Sequence, residues 1–271
     1  MSALSLEDGR RLFGESPHDY ASARPLYSDN VYDVLSRRCG GLRGAAVLEI
    51  GPGTGQATRR LLDSGVQRLL AVEADANFHK YLTANFSDTT LKVMHGPFEG
   101  VEVQDGNFDL GIAATSFHWL DQQAALAKVY RLLKRGGHWA MWWMHFGSGG
   151  ERDPFQVATG RLFLDVPRSP GIGKNGVPFA LDHEERLRDL DRAGFTELST
   201  ERWRSTYRYK TSELVNLYRT FSSVRSLTYE RRERLLEGLA SVADREFGGE
   251  VDRVFLTAFY MARRPPDGTD F

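Results

Sequence analysis

The short apolar run Ala45–Ile50 carries one acid, Glu49, and breaks at once into Gly51-Pro52-Gly53-Thr54-Gly55, where a helical pattern over Thr54–Asp63 begins. This strand, glycine turn and helix constrain the fold more than any other stretch. Glycines without a Cβ let the backbone approach a nucleotide-like ligand closely. Glu49 lies two residues before the first glycine, so a carboxylate is expected near the loop. That is a poor neighbour for a pyrophosphate and a good one for a cation.

The first half alternates short apolar runs with helical patterns, the signature of βαβ units and a parallel sheet. Strands are expected at Ala45–Ile50, Arg68–Glu73, Leu91–His95, Phe108–Ala114 and His138–Trp143, all nearly continuous apolar runs suited to burial on both faces. Helices are expected at Thr54–Asp63, at Asp75–Asn85 with Asp75 as N-cap, and at Asp121–Lys134, which stops at Gly136-Gly137. Asp182 followed by Glu185 reads as a capping box. Thr196–Tyr209 and Arg253–Ala262 alternate as strands, with helices at Thr211–Thr220 and Tyr229–Phe247 between them. Gly147–Gly150 and Val166–Pro178 read as loops, and Pro265–Phe271 as a frayed tail. The expectation is one α/β domain over 1–271: an N-terminal helical arm (1–40), a cofactor-binding core (41–146), and the rest of the sheet (147–271) with a helical, lid-like insert at about 211–247.

Thirty-five basic residues against 36 acidic ones leave a formal net charge of -1. Such balance gives no general pull toward nucleic acid or an anionic membrane. The single cysteine, Cys39, excludes an intramolecular disulfide and a cysteine-built zinc site. No signal-peptide pattern opens the chain, and no apolar run is long enough to cross a bilayer. A cytoplasmic protein acting on a small molecule, with no nucleic-acid or membrane partner and no metal, is the expectation.

Glu73 ends the second strand about 20 residues past the glycine turn, where an acid can accept both ribose hydroxyls. A nicotinamide dinucleotide site shares that feature. The loop, however, is G-x-G-x-G rather than G-x-G-x-x-G, and Glu49 stands beside it. S-adenosylmethionine, an adenosine joined to a sulfonium and an ammonium, suits this charge pattern. After the fourth strand come Phe117-His118-Trp119-Leu120, then Leu133-Lys134-Arg135-Gly136-Gly137. With Leu48–Gly55 and Val72-Glu73-Ala74-Asp75, these segments resemble the class I S-adenosylmethionine-dependent methyltransferases of the type 11 small-molecule kind. Phe13-Gly14 and Tyr20–Pro25 are similar to the arm that precedes the first strand in such enzymes.

The resemblance implies a Rossmann-like, seven-stranded, mostly parallel sheet with helices on both faces and an antiparallel last strand. It implies that Gly51 and Gly53, with Gly55 completing the loop, line the methionine end of the cofactor. Glu73 and its neighbour Ala74 then hold the ribose, and Pro97-Phe98-Glu99 border adenine, with the Phe98 N–H reaching a ring nitrogen. Many relatives carry Asp where this chain has Pro97. Ala114 offers its carbonyl to the ammonium; Tyr20 and Arg24 bind the carboxylate. The aromatics Phe117, Trp119, Trp142 and Trp143 are read either as a cover for the sulfonium or as core. His118 and His145, after the fourth and fifth strands, are the candidate bases. Arg202, Arg204, Arg208, Arg219 and Arg225 are read as a receiver for a carboxylate acceptor or as a solvated face. Three readings stay open: methyl transfer to a small molecule, S-adenosylmethionine binding without methylation, and nicotinamide-dependent oxidoreduction.

Overall fold

The apolar runs of the first half become strands β1 (Ala46–Ile50), β2 (Arg68–Glu73), β3 (Leu91–His95) and β4 (Phe108–Ala114). Between them lie α3 (Gln56–Asp63) and α4 (Ala76–Asn85), preceded by α1 (Pro17–Ala23) and α2 (Asp29–Arg38). The second half adds α5 (Gln122–Leu132), β5 (Leu133–Phe146), α6 (Pro154–Thr159), α7 (His183–Arg192), β6 (Thr196–Lys210), α8 (Thr211–Arg219), α9 (Ser222–Arg225), α10 (Tyr229–Phe247) and β7 (Glu250–Arg263). This computed structural model describes Gly14, residues 16–147, 152–167, Gly171 and 176–266. Phe13 of the expected arm, positions 148–150 and 168–175 (Gly171 apart) of the expected loops, and the tail from Asp267 lie outside the described residues.

Seven strands form one sheet in the order β3-β2-β1-β4-β5-β7-β6. β1 pairs in parallel with β2 and β4, β2 with β3, and β4 with β5. Gly136 N–H donates to Arg264 O, and Gly147 N–H to Val254 O, so β7 runs antiparallel to β5. Ser199 Oγ reaches Met261 O, and Thr211 N–H reaches Gly249 O, which makes β7 antiparallel to β6 as well. The expected seven strands and antiparallel last strand are both present.

Local chemistry explains the helix starts. Asp75 accepts from the Asn77 and Phe78 N–H groups and caps α4; Asp121 accepts from Ala124 N–H and caps α5. Asp182 accepts from Glu185 N–H ahead of α7. The expected helix over Asp121–Lys134 ends two residues early. Leu133 turns to extended φ/ψ and β5 starts there, before the glycine pair, because Phe108 pairs with Leu133 across an irregular register.

The chain divides into two compact units. The first gathers Tyr27–Met144, Ala180–Trp203 and Thr257–Phe271; the second gathers Met1–Leu26, His145–Phe179 and Arg204–Leu256. In the first unit, Val31, Leu35, Val47, Leu61, Leu110, Ile112, Trp142 and Phe259 build the core. Each such burial contributes about 1.5–3 kcal/mol relative to exposure. Asp109 ties three strands together, accepting from Ala46 N–H and Lys134 Nζ. Burial works against its charge, but Lys134 and Ala46 outweigh that and hold the carboxyl below its ordinary value. In the second unit the core is largely aromatic, with Phe146, Phe155, Tyr218, Phe221 and Phe255 in mutual ring contact.

Candidate active site

The glycine loop is closed on one side and open on another. Gly51, at φ +65°, leaves no room for a Cβ, which would stand 2.6 Å from Ser116 Cβ. Its N–H donates to Val72 O, and Ser116 Oγ donates to Ile50 O, so the loop is pressed onto the ends of β2 and β4. Gly53, at φ +59°, has nothing within 4 Å of a Cβ position. That open side is where a ligand gains close backbone approach. Gly55, the left-handed residue at the start of α3, faces the Phe86 ring instead. Its role in the loop is therefore conformational.

Glu73 closes β2 and is only 6% exposed. Gly53 N–H donates to Oε2 at 3.0 Å and Asp75 N–H to Oε1 at 2.8 Å. The carboxylate is thus aimed before any ligand arrives, and each oxygen keeps a second lone pair for a hydroxyl donor. Burial pushes its pKa up to about 7 against the pull of those backbone bonds. The exposed Ala74 lies between Glu73 and Asp75. Glu49 lies deeper than the sequence suggests. It is fully buried, Oε2 accepts from Thr58 Oγ1 at 2.7 Å, and Oε1 has no partner. Burial pushes it to about 7, with the Thr58 bond opposing and Glu73 adding to the rise.

Beyond β3, Phe98 is 2% exposed in a tight turn, Phe98–Gly100. Lys128 of α5 holds that turn: Nζ donates to Phe98 O at 2.6 Å and Glu99 O at 3.2 Å, and stands 4.8 Å from the Phe98 ring centroid. Beyond β4, Ala114 pairs with Trp142. Thr115 follows at φ +57°, a left-handed conformation that costs a β-branched residue about 1–3 kcal/mol. It is held there by its N–H to Trp142 O at 2.7 Å and by the Tyr27 hydroxyl on Oγ1 at 3.1 Å.

In the next turn, Phe117–Trp119, the side chains part company. Phe117 is fully buried against Trp139, and Trp142 is fully buried between Tyr27, Tyr32 and Phe259. Both are core, so Phe117 does not cover a ligand; packing claims its ring. His118 is half-buried and stacks beside Trp119, and its Nδ1 accepts from Trp143 Nε1 at 2.9 Å. An indole N–H only donates. A neutral His118 therefore carries its proton on Nε2 and takes a second proton only by giving up the Trp143 bond. This argues against a role as base.

Within the second unit, Arg24 donates from Nε to Thr220 Oγ1 at 2.9 Å and stands over the Tyr20 and Phe221 rings. His145 is held below the usual imidazole pKa by burial alone. The arginines singled out from sequence are solvated or paired: Arg204 is exposed, Arg208 pairs with Asp252, and Arg219 with Glu233. Arg225 is bonded to Arg219 O, and Arg202, in the first unit, to Leu181 O. The sequence reading missed Tyr27, Thr58, Thr115 and Lys128, none of which belongs to a local motif.

A family model described as a methyltransferase domain matches residues 48–141. An uncharacterized methyltransferase of Schizosaccharomyces pombe is 26% identical over 94% of this chain and 98% of its own length. These matches support a class I S-adenosylmethionine-dependent methyltransferase. The fold of this methyltransferase matches that of Haemonchus contortus phosphoethanolamine N-methyltransferase 2, solved with phosphomonomethylethanolamine and S-adenosylhomocysteine. That match has a TM-score of 0.54 and 14% identity, over 97% of this chain and 61% of that one. It also matches the [4+2]-cyclase SpnF at a TM-score of 0.58 and 18% identity, over 98% of both chains.

The methyltransferase's cofactor is S-adenosylmethionine, and the site fits it. Two buried carboxylates, one with an orphaned oxygen, flank a loop with one open face. A cationic ligand offsets the cost of ionising them, whereas a pyrophosphate increases it. The methyltransferase-domain match over residues 48–141 likewise speaks against the nicotinamide-dependent alternative. Among the described residues no group of three or more His, Cys, Asp or Glu is placed to hold a metal, and no helix is long and apolar enough to cross a membrane.

Proposed function

We propose that this methyltransferase moves the methyl group of S-adenosylmethionine to a small-molecule acceptor by in-line displacement, acting as one domain whose segment 211–247 governs acceptor choice. The cofactor supplies a methyl group already activated by its sulfonium. The chain's residues bind, orient and exclude water. Glu73, fixed by the Gly53 and Asp75 N–H groups, holds the ribose hydroxyls. Gly51 and Gly53 shape the methionine end, the Phe98 backbone borders adenine, and the Ala114 carbonyl takes the ammonium. Tyr20 and Arg24 are assigned to the carboxylate.

The two histidines divide the proton work. His118, its Nδ1 held by Trp143 Nε1, is assigned to orient the acceptor rather than to deprotonate it. His145, kept neutral by burial, takes the acceptor's proton where the acceptor has one to lose. The observation that carries the reading is the pair Glu49 and Glu73, two buried carboxylates around a loop open at Gly53. Calorimetric titration with S-adenosylhomocysteine tests it. Micromolar binding is expected, weakened at least about 10-fold in Glu73→Ala; undiminished binding in that variant removes the ribose assignment.

The fold match to a [4+2]-cyclase over the whole chain favours a second reading, in which the cofactor is bound and no methyl is transferred. Product analysis separates the two. Methyl transfer yields S-adenosylhomocysteine in step with acceptor consumed, and the second reading yields none.

A further inference from the structure

Arg253 lies on β7, in phase with Val251 and Phe255, and its side chain is fully buried. A guanidinium carries five N–H donors and no acceptor, so in that position its donors need partners. Nη1 has one: Asp153 Oδ1, at 2.7 Å, which is also the N-cap acceptor for Gln156 N–H on α6. Two rings lie over the group, Phe146 with its centroid 4.3 Å away and Phe155 at 5.2 Å. Nε and Nη2 have no partner. These two atoms share one edge of the guanidinium, the fork that matches the two oxygens of a carboxylate.

The surroundings repeat the pattern. The Tyr209 hydroxyl is buried without a partner and feels the charges of both Arg253 and Arg24. Arg24 stands over Phe221, Phe221 meets Phe146 edge to face, and Arg253 stands over Phe146. Two guanidinium groups thus bracket one aromatic box inside the second unit. Asp153 Oδ2 is a carboxylate acceptor there without a partner. A 2-hydroxy acid, with a donor beside its carboxylate, therefore suits the box better than a plain acid. Leaving two guanidinium nitrogens and a hydroxyl unbonded in the interior is costly, and a structural role for Arg253 needs only the Asp153 bond.

We propose that Arg253 anchors a buried anion site that takes the carboxylate of a small, flat, partly apolar acid. The rings favour a planar carboxylate on an apolar body over inorganic phosphate.

The test uses the full chain saturated with S-adenosylhomocysteine, as wild type, Arg253→Lys and Arg253→Met. Phenylacetate and mandelate are titrated beside their neutral amides, with inorganic phosphate as a further arm, and binding is followed by calorimetry or ligand-observed NMR. The wild type is expected to prefer each acid over its amide by about 10- to 100-fold. Arg253→Met is expected to bind acid and amide alike. Arg253→Lys keeps the buried charge and loses the fork, so it retains only part of the preference; it carries the test if the methionine variant does not fold. All folded variants should bind S-adenosylhomocysteine as wild type does. Acids no better than amides, a preference that survives in Arg253→Met, or binding of phosphate alone would overturn the site. An acid preference without S-adenosylhomocysteine binding leaves the site standing and removes the methyl-transfer reading; the reverse removes the site alone.

Discussion

Trp143 Nε1 donates to His118 Nδ1 at 2.9 Å, and this one bond decides which nitrogen of the imidazole carries the proton. Side-chain ¹⁵N NMR is expected to find neutral His118 protonated at Nε2. In Trp143→Phe the tautomers should mix. Because Gln keeps an N–H donor, His118→Gln should retain turnover to within about 10-fold, with His118→Ala lower. A His118→Gln enzyme as inactive as the alanine variant would restore the base.

Gly51 and Gly53 carry the same backbone strain but different surroundings. Alanine at either position costs about 1–2 kcal/mol for its left-handed conformation. At Gly51 the new Cβ also meets Ser116 Cβ, which cannot swing aside, and overpacking adds about 1–3 kcal/mol. Gly53→Ala is expected to fold nearly as well as wild type yet lose S-adenosylhomocysteine affinity, whereas Gly51→Ala loses stability first. Urea denaturation and calorimetry together read the split.

Glu49 and Glu73 make the cofactor-free protein sensitive to pH. Burial raises each from an ordinary 4.5 to about 7. Their contribution to stability is complete below the unfolded value and is lost as pH rises through about 7. Melting temperature without cofactor should therefore fall from about pH 5 to pH 7, more gently in Glu49→Gln. Cofactor affinity should rise over the same interval with proton release, seen as a calorimetric heat that depends on the buffer. A flat melting profile that Glu49→Gln leaves unchanged would contradict both carboxylate assignments.

Lys128 links α5 to the turn after β3 through carbonyls of Phe98, Glu99 and Val101. Lys128→Met keeps most of the stem packing and loses the ammonium. It should cost about 1–2 kcal/mol of stability and weaken binding of adenosine-containing ligands more than binding of methionine. Equal loss for both would place the effect in general stability.

Elements whose cause is local were readable from sequence. β2, β3, β4 and α10 have the expected ends, because apolar runs, an N-cap or a left-handed glycine mark them. Glu73 and the glycine loop were readable for the same reason. What escaped depends on residues far apart in the chain: Thr58 under Glu49, Tyr27 on Thr115, Trp143 on His118. The two readings of Phe117, ligand cover or core, stayed open because an apolar side chain beside a ligand loop looks the same in sequence whether it faces the ligand or the core. Arg253 went unremarked, since its one signal is phase: a charge in step with Val251 and Phe255.

The strand order has a consequence for synthesis. β7 is the last strand of this chain, yet it lies between β5 and β6 in the sheet. While the ribosome is still making β7, neither of those strands has its neighbour on that side. The emerging chain carries two exposed strand edges until the final segment arrives, and such edges invite pairing with other chains. Stop codons or fusions that interrupt residues 250–263 should therefore cost more soluble protein than changes of equal size in the surface helices.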